Sequence, residues 1–156
     1  MAATETGNAR FGIELLWRAG KYADAKDAEH VEPECVRQAV SAIIPTVKRS
    51  ELDELGLHEK MLLLAIARFF KENKEAFATL AEIEEAYAVI CEEYDENCYS
   101  HTQLWKYLQR FTQIGIIKTE VGLAASRGRS TMISLPTIPA GELEQELCAS
   151  LAREHR

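Results

Sequence analysis

The string Ser126-Arg127-Gly128-Arg129-Ser130 sets two guanidinium groups on either side of a residue that has no side chain. A guanidinium fork grips phosphate with two hydrogen bonds, and a glycine lets the backbone approach a phosphate closely. An arginine also fits the narrow, electronegative minor groove of A·T-rich DNA. Upstream, His101, Thr102, Gln103, Lys106 and Arg110 share the outward side of a helical segment once Leu104, Leu108 and Phe111 are assigned inward. Glutamine can pair with adenine through two hydrogen bonds, and lysine and arginine can reach guanine or phosphate. Ser100 supplies an N-cap, and the helix N-terminus behind it can hold a phosphate. Lys118 lies between the two sets. Each set alone also fits a plain reading, a solvated helix face or a soluble hairpin tip. Their succession in one short stretch is what points to duplex DNA.

Charge distribution supports that choice. The chain has 156 residues, 47% hydrophobic and 28% charged, with a net charge of −7. Residues 1–50 are balanced, 51–98 carry −9, 100–135 carry +4 and 136–156 carry −2. A basic strip within an acidic protein can face a polyanion while the remainder turns away. This composition excludes disorder and collagen-like structure. The longest strongly apolar run, Met61 to Ala67, is far shorter than a bilayer span, and the N-terminus lacks the pattern of a signal peptide, so a cytoplasmic, nucleoid-associated protein is expected.

Other candidate chemistry is weaker. Cys35, Cys91, Cys98 and Cys148 include no CxxC pair, and Cys91, Cys98 and His101 lack a fourth metal ligand, so free, mostly buried thiols are expected and no metal. His30, His58 and His155 lack the neighbours of a catalytic triad. The acids Glu82, Glu84, Glu85, Glu92, Glu93, Asp95 and Glu96 are read as a solvated helix face that repels DNA and favours one docking orientation. Trp17 and Trp105 are read as packing residues rather than stacking platforms.

The positioning elements follow from periodicity. Asn8 is expected to cap a helix from Ala9 to about Asp27, with Phe11, Leu15, Leu16, Ala19 and Tyr22 on one face. Pro33 opens a second helix carrying Val36, Ala39, Val40, Ile43 and Ile44, which Pro45 kinks or ends. The polar stretch 46–54 sets a boundary near residue 50. LHEKMLLLAIARFFKEN from Leu57 has so wide an apolar arc that it must be a central helix. Phe77-Ala78-Thr79 allows a brief strand, and Leu80, Ile83, Tyr87, Ile90 and Tyr94 mark the next helix. The helix after Ser100 stops at Gly115. Ile116 to Val121 and Thr131 to Leu135 then alternate as strands around a loop from Gly122 to Ser130. Leu143, Leu147 and Leu151 form a last helix that packs back. Helices followed by a hairpin give a mainly α fold of winged-helix order.

Gly7-Asn8-Ala9-Arg10-Phe11, followed by Leu15-Leu16-Trp17-Arg18-Ala19-Gly20, resembles the start of the helical lid of AAA+ ATPases, specifically of archaeal origin-recognition and cell-division-cycle initiators. Leu57 to Ile66, Glu84-Glu85-Ala86-Tyr87, Tyr107-Leu108, Ile114-Gly115-Ile116-Ile117 and Gly128-Arg129-Ser130-Thr131 resemble that family's winged-helix domain in order. The resemblance implies an AAA+ lid over 1–50 and a winged-helix domain with a C-terminal helix over 51–156. It gives Arg10 the role of the second sensor arginine, which reaches the γ-phosphate of ATP. It also implies ATP or ADP and Mg²⁺ in the full-length family, with origin DNA, the replicative helicase and other initiator subunits as partners. The sequence has no GxxxxGK loop followed by Ser or Thr and no acidic Mg²⁺ motif, so no cofactor and no ATP hydrolysis are expected of this chain. It resembles the C-terminal part of an initiator, dissected just before the lid.

Two other readings stay open at this level. One is a winged-helix transcription regulator, against which the lid-like first fifty residues argue. The other is a protein-interaction module that contacts the helicase or another initiator through its acidic face.

Overall fold

The computed structural model describes residues 5–43, 49–123 and 129–154, with backbone only at 5–8, 43, 49, 50, 123 and 129. Its elements run α1 (Glu5–Ala25), α2 (Pro33–Ile43), α3 (Arg49–Asp53), α4 (Leu57–Glu72), β1 (Ala78–Thr79), α5 (Leu80–Glu93), α6 (His101–Gln113), β2 (Lys118–Leu123), β3 (Arg129–Ser134) and α7 (Ala140–Glu154). Among the described residues no helix is long and apolar enough to cross a membrane.

Helix α4 is central, as its apolar arc predicts. Residues 58 to 67 are buried without interruption, and α5, α6 and α7 all pack on it. A helix buried on every side must satisfy its polar residues through neighbours. Glu59 accepts from Arg110 of α6, and Lys60 pairs with Glu154 of α7. Arg68 bridges Glu93 at the end of α5 and Glu144 of α7, and Lys71 also reaches Glu144 at 2.7 Å. The two cations hold the Glu144 carboxyl below the usual carboxylate range. Helix α3 belongs to this body: Leu52 and Leu55 join its core, and Asp53 accepts from Ser150 and Arg153 of α7.

Local signals end the helices where the residues specify. Thr79 caps α5 in a capping box, its hydroxyl accepting from the Glu82 amide while the Glu82 carboxylate accepts from the Thr79 amide. Thr79→Ala is expected to cost about 1 kcal/mol, read as a lower denaturant midpoint at unchanged slope. Helices α1, α5 and α6 close with the paired backbone bonds of a Schellman turn, around Asp27 (φ 53°), Asp95 (φ 53°) and Gly115 (φ 83°). Gly115 is therefore the stop that its sequence position predicts.

The sheet has the order β1-β3-β2, both pairs antiparallel. The hairpin is longer than expected. Gly122 pairs with Ser130 and Leu123 with Arg129, which shortens the connection to residues 124–128. Gly122 is a strand residue rather than a loop residue, and a Cβ there would lie 3.0 Å from Met132 Cγ. Ile116 and Ile117 precede β2 as core residues instead of starting the strand.

The first two helices correct three expectations. Helix α1 begins at Glu5, so Asn8 lies inside it and is not its cap. Leu16 is 73% and Trp17 62% exposed, not packed. Among the described elements α1 packs chiefly on α2, through its Ala19 and Ala23 side, which leaves Ile13, Leu16 and Trp17 without cover. Residues Ile44 and Pro45 fall outside the described residues. Of the four thiols, Cys35 and Cys91 are buried, Cys148 is half-buried and Cys98 is exposed. Trp105 packs against the core as expected.

Helix α2 ties this pair to the winged-helix body. Arg37, only 3% exposed, donates through Nε to the Leu135 carbonyl at 2.5 Å and through a second nitrogen to Glu34 at 2.9 Å. Glu34 in turn accepts from the Ala140 amide at the start of α7. The guanidinium also lies 4.7 Å from the Phe70 ring centre.

Candidate nucleic-acid interface

The turn between α5 and α6 aims the candidate recognition helix. His58 Nδ1 lies 2.7 Å from the Tyr87 hydroxyl, which also accepts from the Tyr99 amide at 3.1 Å. The His58 ring stacks on Tyr99 with centres 3.7 Å apart. Burial raises the Tyr87 phenol above its ordinary value, so it serves as a neutral hydroxyl bridge. His58 is thus a structural residue that pins the backbone one residue before the Ser100 cap. The Ser100 hydroxyl accepts from the Gln103 amide at 3.3 Å, as an N-cap should.

Leu104, Leu108 and Phe111 are buried, which turns the remaining face of α6 outward. Thr102 and Lys106 are exposed and Gln103 is half-buried. Lys106 stands four residues from Thr102 and three from Gln103, on one side of the helix. Lys118 is exposed at the start of β2. Neither Lys106 nor Lys118 forms an ion pair with a described residue.

Two of the expected contact residues are already engaged. Arg110 gives both bonds of one guanidinium nitrogen to the Glu59 carboxylate, at 2.7 and 2.8 Å, so its charge is largely offset within the protein. His101 is paired with Glu84. Sequence reasoning missed both carboxylates because they come from other helices, Glu59 lying fifty-one positions before Arg110. At the wing, Ser130 sits inside β3 with its hydroxyl toward Met132 Sδ, and Arg129 is the first residue of the strand. Arg127 and Gly128 lie outside the described residues.

Arg10 is exposed on α1, lining a shallow apolar recess with Ile13, Glu14 and Trp17. Among the described residues no cluster of three or more metal-ligating side chains occurs.

Three helices, a hairpin wing and a helical pair tied on through Arg37 define a winged-helix protein with an AAA+-type lid. The family model for the CDC6 C-terminal winged helix domain matches residues 50–143, and that for the Cdc6 AAA+ ATPase-type lid domain matches 1–41. The chain belongs to the ORC1/Cdc6-type family of DNA replication initiators. The ORC1-type DNA replication protein 2 of Saccharolobus solfataricus is 35% identical over 131 residues, covering 83% of this chain and 32% of that protein. The crystal structure of Cdc6p from Pyrobaculum aerophilum superposes with a TM-score of 0.85 at 34% identity, over 96% of this chain and 38% of that one. The Aeropyrum pernix ORC1 protein, solved in complex with DNA, gives 0.56 at 25% identity, over 90% and 37%. The chain spans about a third of the length of the curated relatives it matches.

Proposed function

We propose that this chain binds duplex origin DNA through its winged helix, as part of an ATP-regulated initiator that helps to load the replicative helicase. The observation that carries this reading is the pair Lys106 and Lys118, exposed and without an ion-pair partner among the described residues. Lysines left free in a protein so rich in carboxylates are available to phosphates. Thr102 and Gln103 on the same face can reach base edges, and in sequence Arg127 and Arg129 add two guanidinium groups of the kind that suits an A·T-rich minor groove. A relative solved with DNA supports the same reading.

The chain acts here by binding rather than catalysis. Exposed on the lid, Arg10 suits a guanidinium that pairs with a nucleotide phosphate held by another subdomain; the nucleotide would supply the regulatory charge at that contact. The match to a lid domain argues against the transcription-regulator reading.

The test compares three single variants in duplex titrations across a salt series. Lys106→Ala and Lys118→Ala should each weaken binding by a similar factor on every sequence, and flatten the slope of log K against log salt by about 0.9. Arg110→Ala should change the slope less, because Glu59 already offsets that charge. Lysine variants that bind like the wild type, with an unchanged slope, would overturn the proposal and bring forward the reading in which the acidic face contacts a protein.

A further inference from the structure

Helix α5 ends in a Schellman turn whose geometry has a consequence for two cysteines. The left-handed Asp95 reverses the chain, and the Glu96 amide closes back on the Cys91 carbonyl at 2.9 Å. Three residues further on, the Tyr99 amide is fastened to the Tyr87 hydroxyl one helical turn before Cys91. Cys98 is thereby laid back along the end of α5, beside Cys91. Cys91 is buried and Cys98 is exposed.

We propose that Cys91 and Cys98 form a reversible thiol–disulfide site that closes the segment joining α5 to the candidate recognition helix. A buried and an exposed thiol set side by side have the division of labour such a site requires. The exposed one meets the oxidant and the buried one resolves the product. With a peroxide as oxidant, the Cys98 thiolate attacks the O–O bond, forming an S–O bond and releasing hydroxide. Cys91 sulfur then attacks the Cys98 sulfur, forming the S–S bond as the S–O bond breaks. The departing hydroxide takes up the Cys91 proton and leaves as water, so two thiols and one peroxide give one disulfide and two waters. Burial and the neighbouring Cys98 push the Cys91 thiol up to about 11, which keeps it protonated and makes it the second thiol to react. A small-molecule dithiol reverses the step by exchange. The chemistry needs no DNA and stands apart from the function proposed above.

The sequence offers a clean readout, because no lysine or arginine lies between Lys74 and Lys106, so trypsin releases both cysteines, and no others, on the peptide 75–106. The intact folded protein would be treated with a small molar excess of hydrogen peroxide, denatured with an excess of alkylating agent, digested and weighed. The expected result is a peptide two mass units lighter than the reduced form, carrying no alkyl group, and two alkyl groups after prior reduction. Cys98→Ser should leave Cys91 fully alkylated under the same treatment. Because Cys98 is exposed, this variant tests the site without disturbing the core. Two alkyl groups on the oxidised wild-type peptide would overturn the proposal. So would Cys98 recovered as a sulfinic acid or linked to a second chain while Cys91 remains alkylatable.

Discussion

Phe111→Ala is expected to destabilise the winged-helix body by about 3–5 kcal/mol, the range for emptying a fully buried aromatic site. Phe111 is 0% exposed and sits on α6, facing the core built around α4. Its carbonyl also receives the Ile116 amide in the turn around Gly115. The truncation therefore leaves a cavity beneath the turn that sends the chain into the wing. For a domain of this size the loss corresponds to roughly 10 °C or more in thermal midpoint. Thermal unfolding followed by circular dichroism checks it, and a shift under about 3 °C would show that the site collapses without cost. Lys106→Ala, on the opposite side of the same helix, should leave the midpoint nearly unchanged. Comparing the two variants separates stability from binding on one element.

Arg37→Ala is expected to release the lid helices from the winged-helix body at a cost of about 3 kcal/mol. The guanidinium is buried, so its removal leaves the Leu135 carbonyl without that donor and strips a charged partner from Glu34. Glu34 keeps the Ala140 amide, which holds the figure at the lower end of the range for broken buried pairs. Lys at this position should not rescue, since one ammonium cannot reproduce a fork that meets a carbonyl and a carboxylate together. The signature is specific: tryptic cleavage at Lys21 and Lys26 should accelerate while the winged-helix fragment stays intact. Unchanged cleavage at those sites would show that other contacts dominate the junction.

Much of this architecture is legible in the residues. The uninterrupted apolar arc of α4, the step of three and four in α5, the inward trio of α6, the glycine stop at 115 and the leucine ladder of α7 each have a local cause. That cause survives in the folded chain. What local pattern could not supply is the choice between two plausible faces. In α1, apolar residues surround much of the helix, and only the location of α2 decides that Ala19 and Ala23 go inward while Leu16 and Trp17 do not. The candidate interface shows the same limit. Amphipathicity places Arg110 on the outer side of α6, yet the partner that neutralises it comes from the first turn of α4. The spacing of Cys91 and Cys98 looks irregular until Asp95 reverses the chain between them. Pairings of this kind depend on tertiary placement, which periodicity does not carry.

The central claim is that the basic strip binds duplex DNA, and equilibrium titration of the wild-type chain with fluorescent A·T-rich duplex across a salt series tests it most directly. Lys106 and Lys118 have no ion-pair partner among the described residues, Arg110 is offset by Glu59, and the sequence adds Arg127 and Arg129. Neutralising three to five phosphates gives a slope of log K against log salt of roughly −3 to −4.5, at about 0.9 per phosphate. The expected result is a slope in that range, flattened in the Arg127→Ala/Arg129→Ala double variant and accompanied by tighter binding to an origin repeat than to a scrambled duplex. No binding at low salt by protein shown to be folded would contradict it.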